Sequence, residues 1–527
     1  MLFTPRKLRN LAPVDEMQSL APIVDLQAMD LVGEEAPQMY ALCGRGHRTA
    51  LRTLRYGLSV TELAVSELPG TPTGVWTVKE RQDSAHDRYI VVSFSNATLV
   101  LGIGETVEEV GSAESGFNDA VQTLCVQLLE DNSTVQVYAG GIRLIRTVDG
   151  VVRKIEWKPP GKRAIEHAAA NERQVVLALA GGEVIYFELD ATGTLQETEK
   201  RDLGVQVASI ALGDIPPGQL RSNFVAIGGW DNTVRILSLD PADVMQQRGI
   251  QALDAVPESL CIATMDLAAS SAAAAYADPY GAGLPVGGGA PVGANARATY
   301  LLMGLHNGLM MRTELDVTSG SLSDTRTRLL GSRGVRLHKV GAGGRRAMLA
   351  LSSRPWLCYT HFGRYKMTPL SYAALDAASG FSSDQCPEGV VAVAGNTMRI
   401  FAVDKLGDEF HQAQLALPYT GRRMVQVPQS SRVVVVQADH NAYNAEERAA
   451  LRAEAEAVAR ELAGGGEGEE SKGEAPSLPE EAQVGPPKPG EEGKWASAVS
   501  IVDAAQGRVL SSVELDGNEA ALCAACV

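Results

Sequence analysis

One pattern recurs seven times along the chain and constrains its fold more than any other feature. Each copy has an apolar run, a short turn of small or polar residues, and a second apolar run. The first clear copy covers residues 89–101 and the last covers residues 390–400. Successive turns are separated by 36, 49, 50, 76, 45 and 43 positions, as measured between Thr98, Thr134, Glu183, Thr233, Leu309, Arg354 and Thr397. A period in the forties with paired short strands is typical of four-stranded blades arranged around an axis.

The single long interval coincides with an insertion at 268–296. This insertion consists mainly of Ala and Gly and is predicted to be a disordered loop. Central strands of stacked blades are buried on both faces, so they read as continuous apolar runs. A tandem of β-sandwiches is the alternative, but it gives no reason for a hairpin to repeat at this period. The prediction is an all-β chain with a complete seven-bladed β-propeller at 57–406, flanked by partial propellers.

The same pattern continues on both sides of the predicted ring. Residues 39–54 have the hairpin form and predict the end of a first propeller at 1–56. Strand-like runs at 433–436 and 498–502 predict the start of a third propeller at 407–527. An acidic insertion at 444–493 lies between those runs; it is predicted to begin as a helix and to lose structure after Gly464. The chain is therefore expected to be part of a longer protein.

Charge and cysteine content limit the classes of partner. The formal net charge of −16 gives little of the counterion release that drives non-specific nucleic-acid binding, so direct contact with RNA is not expected. The seven cysteines are scattered and odd in number, which predicts buried free thiols in a reducing compartment. No long uncharged apolar run is present in the sequence, and no membrane span is predicted.

No residue pattern in the sequence matches a catalytic or cofactor-binding motif. The eight histidines include no H-E-x-x-H or H-x-H pair, and neither G-x-S-x-G nor a P-loop occurs. Cys523 and Cys526 have the spacing of a metal site, but a lone C-x-x-C is a weak signal. Asp439 next to His440 favours a turn-stabilising aspartate over an acid–base pair. The sequence predicts no enzyme, no cofactor, no metal and no small-molecule substrate.

Strings within and around the hairpins resemble one family of large propeller scaffolds. They lie at residues 41–46, 66–70, 75–78, 95–110, 156–162, 231–241, 257–262, 322–328, 385–389 and 439–443. The family unites the large propeller subunit of the splicing factor 3b complex, the large damaged-DNA-binding protein, and the largest cleavage and polyadenylation specificity subunit. The strings are most similar to those of the splicing member. Gly334 stands where this family usually has proline, and Trp230 stands where an aliphatic residue is expected.

The resemblance implies a non-enzymatic scaffold of the splicing factor 3b complex, within the branch-site-recognising small nuclear ribonucleoprotein of the nucleus. Implied partners are the large helical-repeat subunit and the small companions of that complex, clasped between the first and third propellers. RNA would be reached only indirectly, through the complex. The alternative is an adaptor of a cullin ubiquitin ligase, like the damaged-DNA-binding relative.

Two groups of basic residues are candidates for partner contacts. Arg422 and Arg423 open the first blade of the third propeller, which faces partners in the family, so they are predicted to bind a partner or else to be solvated. The second group is interpreted as charge on solvated hairpin edges, where it prevents aggregation. That group consists of Arg326, Arg328, Arg333, Arg336, Lys339, Arg345 and Arg346.

Overall fold

A computed structural model shows two compact units, one made of Met1–Tyr56 with Phe410–Val527 and the other of Gly57–Glu409. The structure describes residues 19–31, 37–104, 106–148, 151–266, 297–361, 364–407, 410–444, 446–447, 449–450, 453, 494–504, 506–516 and 518–525. The predicted loop at 268–296 lies outside these residues, as does nearly all of the predicted insertion at 444–493. Helical structure in the described part comprises α1 (Ser112–Ser115), two 3₁₀ turns, Gly46–Arg48 and Pro160–Lys162, and the described residues 446–447, 449–450 and 453.

The strands follow one another in chain order. The first four are β1 (Ile23–Met29), β2 (Gln38–Cys43), β3 (Ala50–Tyr56) and β4 (Val60–Glu67). Next come β5 (Gly74–Val78), β6 (Tyr89–Ser93), β7 (Thr98–Ile103), β8 (Val107–Glu109), β9 (Thr123–Leu128), β10 (Thr134–Tyr138), β11 (Gly141–Val148), β12 (Val151–Trp157), β13 (Ile165–Ala170), β14 (Gln174–Leu179), β15 (Glu183–Leu189) and β16 (Leu195–Asp202). They are followed by β17 (Val207–Leu212), β18 (Phe224–Gly229), β19 (Thr233–Ser238), β20 (Gln247–Ala252), β21 (Pro257–Asp266), β22 (Arg297–Leu305), β23 (Leu309–Leu315), β24 (Leu322–Leu329), β25 (Arg336–Ala342), β26 (Arg345–Leu351), β27 (Pro355–His361) and β28 (Arg364–Pro369). The last are β29 (Ala377–Phe381), β30 (Gly389–Ala394), β31 (Thr397–Val403), β32 (Phe410–Ala416), β33 (Gly421–Gln426), β34 (Arg432–His440), β35 (Trp495–Asp503) and β36 (Arg508–Glu514).

These strands form four-stranded antiparallel sheets. In the unit Gly57–Glu409, sheets 1 to 6 are each made of four consecutive strands, from β5–β8 to β25–β28, and sheet 7 combines β29, β30 and β31 with β4. In the other unit, one sheet has the order β1-β2-β3-β32 and the second contains β33 to β36. The chain is therefore all-β, as the sequence predicted.

Each sheet has apolar central strands and a more polar outer strand. All six residues of β14 and all six of β18 are buried, because these strands have a neighbouring sheet on either face. The outer strand β16 is exposed along most of its length and has the sequence LQETEKRD. A charged edge of this kind opposes pairing with the edge of another chain.

The sheets of the unit Gly57–Glu409 pack in a closed cycle. Clusters of buried apolar side chains fill the space between each sheet and the next, from sheets 1 and 2 through to sheets 6 and 7. A further cluster joins sheet 7 back to sheet 1, with Val391 and Val393 packed against Ile90 and Val92. The first strands of the sheets, here called the inner strands, also contact one another in the same cyclic order.

Strand β4 completes sheet 7 although it precedes sheet 1 in the chain. It pairs with β31 from Glu67 opposite Thr397 to Val60 opposite Val403. Next to this pairing, Asp404 accepts hydrogen bonds from the hydroxyls of Ser59 and Thr61. The two ends of the unit are thus joined within one sheet, a pairing that the sequence pattern did not reveal.

The second predicted hairpin was placed one strand too early. In sheet 2 it corresponds to β9 and β10, the first and second strands, whereas the other six hairpins correspond to second and third strands. Third strands begin at Thr98, Gly141 and Glu183, which are 43 and 42 residues apart, so the uneven spacing of 36 and 49 disappears. The first three strands of a sheet are all rich in buried residues, so an apolar–turn–apolar pattern does not distinguish the two hairpins.

The unit made of the two chain ends has its own core. Strand β3 pairs with β32 from Ala50 opposite Ala416 to Tyr56 opposite Phe410, so residues from both ends share one sheet. Sequence reasoning did not anticipate this pairing. Tyr40 and Met424 are among the buried side chains that pack between the two sheets of this unit.

Fully buried glutamine side chains form hydrogen bonds with the backbone of loops that precede nearby strands. Gln136, Gln174 and Gln437 each have no exposed surface, and each lies on the second strand of its sheet. The amide of Gln174 donates to the Tyr186 hydroxyl at 2.8 Å and to the Ser222 carbonyl at 3.1 Å. Its oxygen accepts the Ser222 N–H at 2.7 Å and the Asn171 amide at 2.9 Å, which satisfies the whole side chain.

Candidate interaction surfaces

Arg422 and Arg423 lie on β33, where both make contacts within their own unit. Arg422 donates from Nε to the Ala438 carbonyl on β34 at 2.9 Å. Arg423 Nη1 lies 3.4 Å from Asp25 Oδ1, and its side chain is 58% exposed whereas that of Asp25 is 8% exposed. Most of the Arg423 side chain therefore remains accessible to a partner.

The Asp25 side chain on β1 connects this strand to β33 through Arg423 and its neighbour Met424. Its second carboxylate oxygen accepts the Met424 N–H at 3.0 Å, and Gln27 Nε2 donates to the Met424 carbonyl at 2.8 Å. A buried carboxylate needs such partners, because leaving it unpaired costs several kcal/mol, on the order of 3–5. Arg423 therefore pairs with a buried carboxylate and also exposes most of its side chain to solvent.

The adjacent Asp439 and His440 have separate structural roles. Asp439 accepts the Thr420 N–H at 3.0 Å, and the His440 ring packs against Trp495 in a tilted arrangement at a centroid distance of 4.7 Å. Trp495 lies directly opposite His440 in the β34–β35 pair. These contacts agree with the turn-stabilising interpretation of the aspartate.

The basic cluster of sheets 5 and 6 is more than charge on solvated edges. That interpretation fits Arg326, whose side chain is 68% exposed on the outer strand β24. It is wrong for Lys339, which lies on the inner strand β25 and contacts Asp214, a residue that follows the inner strand of sheet 4. Strand order alone did not show this, because the acidic partner is 125 positions away in sequence.

The Asp214 carboxylate forms ion pairs with two basic side chains near the end of the inner strands. Lys339 Nζ lies 2.7 Å from Asp214 Oδ1, and Arg346 Nη1 lies 2.5 Å from Oδ2. Burial alone would raise the pKa of Asp214, but the ammonium and guanidinium groups outweigh it and hold the pKa below its usual range. The carboxylate is therefore ionised at neutral pH, and the group functions as an ion pair.

A second charged group lies where the inner strands begin. Glu258 Oε1 accepts from Arg336 Nε at 3.0 Å, and Glu258 Oε2 lies 3.2 Å from His306 Nδ1. Arg336 Nη1 also donates to the Asp376 carbonyl at 3.2 Å, and Asp376 Oδ1 lies 3.6 Å from Arg333 Nη1. Sequence reasoning named the arginines but missed both carboxylates, which come from other sheets.

A cavity of about 330 Å³ opens beside Arg336. Its lining comes from sheets 6, 7 and 1 and consists of Thr71, Pro72, Thr73, Arg336, Asp376 and Gly395. Apart from Pro72 and Gly395, these side chains carry hydrogen-bonding groups. The cavity therefore offers donors and acceptors to a bound group.

Three buried thiols and one buried imidazole are poorly suited to acid–base catalysis. Burial raises the pKa of Cys125 to about 12 and those of Cys261 and Cys358 to about 11, so these thiols stay protonated. Burial, assisted by the charge of Arg336, lowers the pKa of His338 to about 4 and keeps its ring neutral. A general acid or base works best with a pKa near the operating pH.

Two further predictions concern metal binding and membranes. Within the described ranges, no three His, Cys, Asp or Glu side chains are grouped to hold a metal ion. Cys523 is exposed, and Cys526 lies outside the described residues. Among the helices that the structure describes, none has the length and apolar character needed to cross a membrane.

Four-stranded antiparallel sheets with apolar central strands, packed face to face, define the class of β-propeller proteins. The groups described above are ion pairs and a polar cavity on this scaffold. Residues 60–403 match the family model described as the RSE1/DDB1/CPSF1 second beta-propeller. The chain belongs to this family.

Relatives are similar to the chain over nearly its whole length. Splicing factor 3B subunit 3 of Danio rerio is 47% identical over 525 residues, covering 98% of this chain and 41% of that protein. The protein of the same name in Drosophila melanogaster is also 47% identical, covering 98% of this chain and 42% of its own length. Spliceosome-associated protein 130 A of Arabidopsis thaliana is 44% identical, covering 99% and 41%. The chain thus spans about two-fifths of the length of these relatives.

Proposed function

We propose that the chain acts in the nucleus as a non-enzymatic scaffold of pre-mRNA splicing, within the splicing factor 3b complex. The observation that carries this proposal is the 47% identity, over 98% of the chain, to proteins named splicing factor 3B subunit 3. The paired state of the charged groups described above supports contact surfaces over catalysis.

The proposed partners are other subunits of that complex, the large helical-repeat subunit and the small companions. Arg422 and Arg423 are the proposed contact residues, and the exposure of the Arg423 side chain supports this role. RNA is reached only through the complex, because a net charge of −16 disfavours binding to a phosphate backbone.

The proposed architecture is a complete seven-bladed β-propeller at 57–406, with parts of a first propeller at 1–56 and of a third at 407–527. The closed cycle of sheets and buried clusters in Gly57–Glu409 supports the complete ring. Sheet 7 is completed by β4, which is how a ring of blades closes without an unpaired end. An experimental structure in which sheets 1 and 7 did not touch would refute it.

Affinity purification from nuclear extract tests the function. The tagged chain is expected to recover splicing factor 3b subunits; recovery of a cullin without those subunits would instead assign it to ubiquitin ligation. The double substitution Arg422→Ala and Arg423→Ala should lower the recovered subunits at least fivefold. A matched double substitution on the exposed strand β12, Arg153→Ala and Lys154→Ala, should leave recovery unchanged. Equal recovery with both double variants would remove the two arginines from the proposed contact.

A further inference from the structure

The cavity beside Arg336 has the features of a recognition site within the scaffold. It lies where the inner strands of its three sheets begin: Arg336 is the first residue of β25, Asp376 directly precedes β29, and Thr73 directly precedes β5. Its volume of about 330 Å³ is at the lower end of the range that accommodates small ligands. It suits one or two side chains of a protein segment.

Arg336 is held rigidly at the edge of this cavity. Arg336 Nε donates a hydrogen bond to Glu258 at 3.0 Å, and Arg336 Nη1 donates one to the Asp376 carbonyl at 3.2 Å. A guanidinium carries five N–H groups, so three remain without a partner among the described residues. A guanidinium fixed by two bonds loses little conformational entropy when it binds a ligand.

Both arginine side chains at the cavity are at least half exposed. Arg333 and Arg336 have side chains 61% and 50% exposed, whereas Glu258 and Asp376 are 22% and 46% exposed. Both carboxylates have partners within the scaffold, and Asp376, which accepts the Gly395 N–H at 2.8 Å and lies near Arg333, keeps further lone pairs on its two oxygens. Guanidinium N–H donors are therefore accessible to a group that approaches the cavity.

The lining favours an extended peptide over a free ion. The exposed Thr71 adds a hydroxyl, and Asp376 is positioned to accept a backbone N–H while Arg336 receives a carboxylate. Arginine binds carboxylates with two parallel N–H···O bonds, which gives orientation as well as affinity. A protein segment with an acidic side chain presents both kinds of group within a few ångströms.

We propose that the Arg336 cavity binds an acidic, extended segment of a protein partner, with an Asp or Glu side chain on Arg336. This inference rests on the proposed scaffold function and names one contact within it. It concerns a surface separate from Arg422 and Arg423, which lie in the other unit.

Fluorescence anisotropy with a defined probe tests this proposal on the full chain. The probe is a labelled, end-blocked hexapeptide of alternating Asp and Ala; the comparison peptide has Asn in place of Asp. The Asp peptide is expected to bind at least tenfold more tightly than the Asn peptide. Raising the salt concentration from 0.1 to 0.5 M should weaken the Asp peptide selectively, because exposed charges are screened.

Two variants locate the site. Thr71→Trp fills the mouth of the cavity without touching the core, and Arg336→Gln removes the guanidinium; each should weaken binding of the Asp peptide at least tenfold. Thr198→Trp, on the exposed outer strand β16, is the matched control and should change binding less than twofold. Circular dichroism melts of all three variants check that the fold is retained.

Several results would overturn the proposal. Equal affinity for the Asp and Asn peptides would exclude carboxylate recognition, and unchanged binding by Thr71→Trp would place the peptide elsewhere. Displacement of the probe by oligouridylate at matched charge concentration would assign the surface to nucleic acid instead. Recovery of splicing factor 3b subunits is a separate measurement, so failure here leaves the scaffold function standing, and failure there leaves peptide binding measurable.

Discussion

Replacement of Gln174 by alanine tests how much of the stability of Gly57–Glu409 depends on buried polar connections. The Gln174 side chain makes four hydrogen bonds, two of them to the backbone of Ser222, which lies between β17 and β18 of sheet 4. Truncation leaves the Ser222 N–H and carbonyl without these partners. Ser222 is itself buried, with 6% of its surface exposed.

The expected cost follows from the bonds lost. A buried hydrogen bond contributes about 1 kcal/mol net, so four bonds give about 4 kcal/mol. Buried groups left unpaired cost more than this average, and water that enters the new space recovers part of the loss. We therefore expect Gln174→Ala to lower the free energy of unfolding by about 3–5 kcal/mol. Tyr186→Phe removes one of the four bonds and also the bond from the Tyr186 hydroxyl to Glu188 at 3.2 Å, so it should cost about 2 kcal/mol.

Urea unfolding followed by tryptophan fluorescence measures this loss. Of the five tryptophans, only Trp495 lies outside Gly57–Glu409, so a Trp495→Phe background makes the signal specific to that unit. The shift in midpoint at constant slope gives the change in free energy. Gln206→Ala is the control, because this exposed glutamine makes one side-chain bond, at 3.3 Å to Glu166.

A cost for Gln174→Ala below about 1 kcal/mol, or equal to that of Gln206→Ala, would refute the reasoning. It would mean that water replaces the amide without loss. The connection between sheets 3 and 4 would then depend on apolar packing and on other polar contacts, such as the Asn171 amide bond to the Gly213 carbonyl at 2.9 Å.

Two other substitutions test electrostatic contacts in the same background. Asp214→Asn should cost about 1 kcal/mol at neutral pH, since both of its cations are more than a third exposed and partly screened. Because folding lowers the pKa of this carboxyl, its stabilising contribution is present above the unfolded pKa and disappears as pH falls through the folded pKa. The unfolding midpoints of wild type and Asp214→Asn should therefore converge from pH 7 to pH 3. A constant difference between them would contradict this. Arg312→Lys should cost about 1–2 kcal/mol, because the Arg312 guanidinium lies 4.8 Å from the Tyr300 ring and 4.2 Å from the Tyr365 ring; a midpoint equal to wild type would refute that stacking contribution.

The local part of the fold was accessible from the sequence. Apolar–turn–apolar runs predicted a hairpin in every sheet of Gly57–Glu409, because strand pairing across a short turn depends on neighbouring residues. The pairing of β4 with β31 was not accessible, since Val60 and Val403 are far apart in the chain and an exposed edge strand carries little pattern. The same holds for β3 with β32, which sequence reasoning placed in different propellers.

The basic residues of the candidate surfaces could be found from the sequence, whereas their acidic partners could not. Basic residues are visible in a sequence as clusters, so Arg336, Lys339 and Arg423 were all noticed. Their acidic partners come from other strands: Glu258 is 78 positions from Arg336, and Asp25 is 398 positions from Arg423. Whether a charge is solvated or paired depends on those distant groups, and no local signal reports it.

The pairing of β3 with β32 makes the unit Gly57–Glu409 an exchangeable module. Tyr56 and Phe410 face each other in that pair, so the whole unit occupies the position of a hairpin loop. The entropy of closing a loop rises only with the logarithm of its length, and a folded insert whose ends already meet costs even less. A two-residue Asn-Gly turn in its place would satisfy the same two strands, and a foreign ring with adjacent ends could be grafted there. Recombination at these two positions could thus alter what the scaffold displays while leaving the receiving sheet in register.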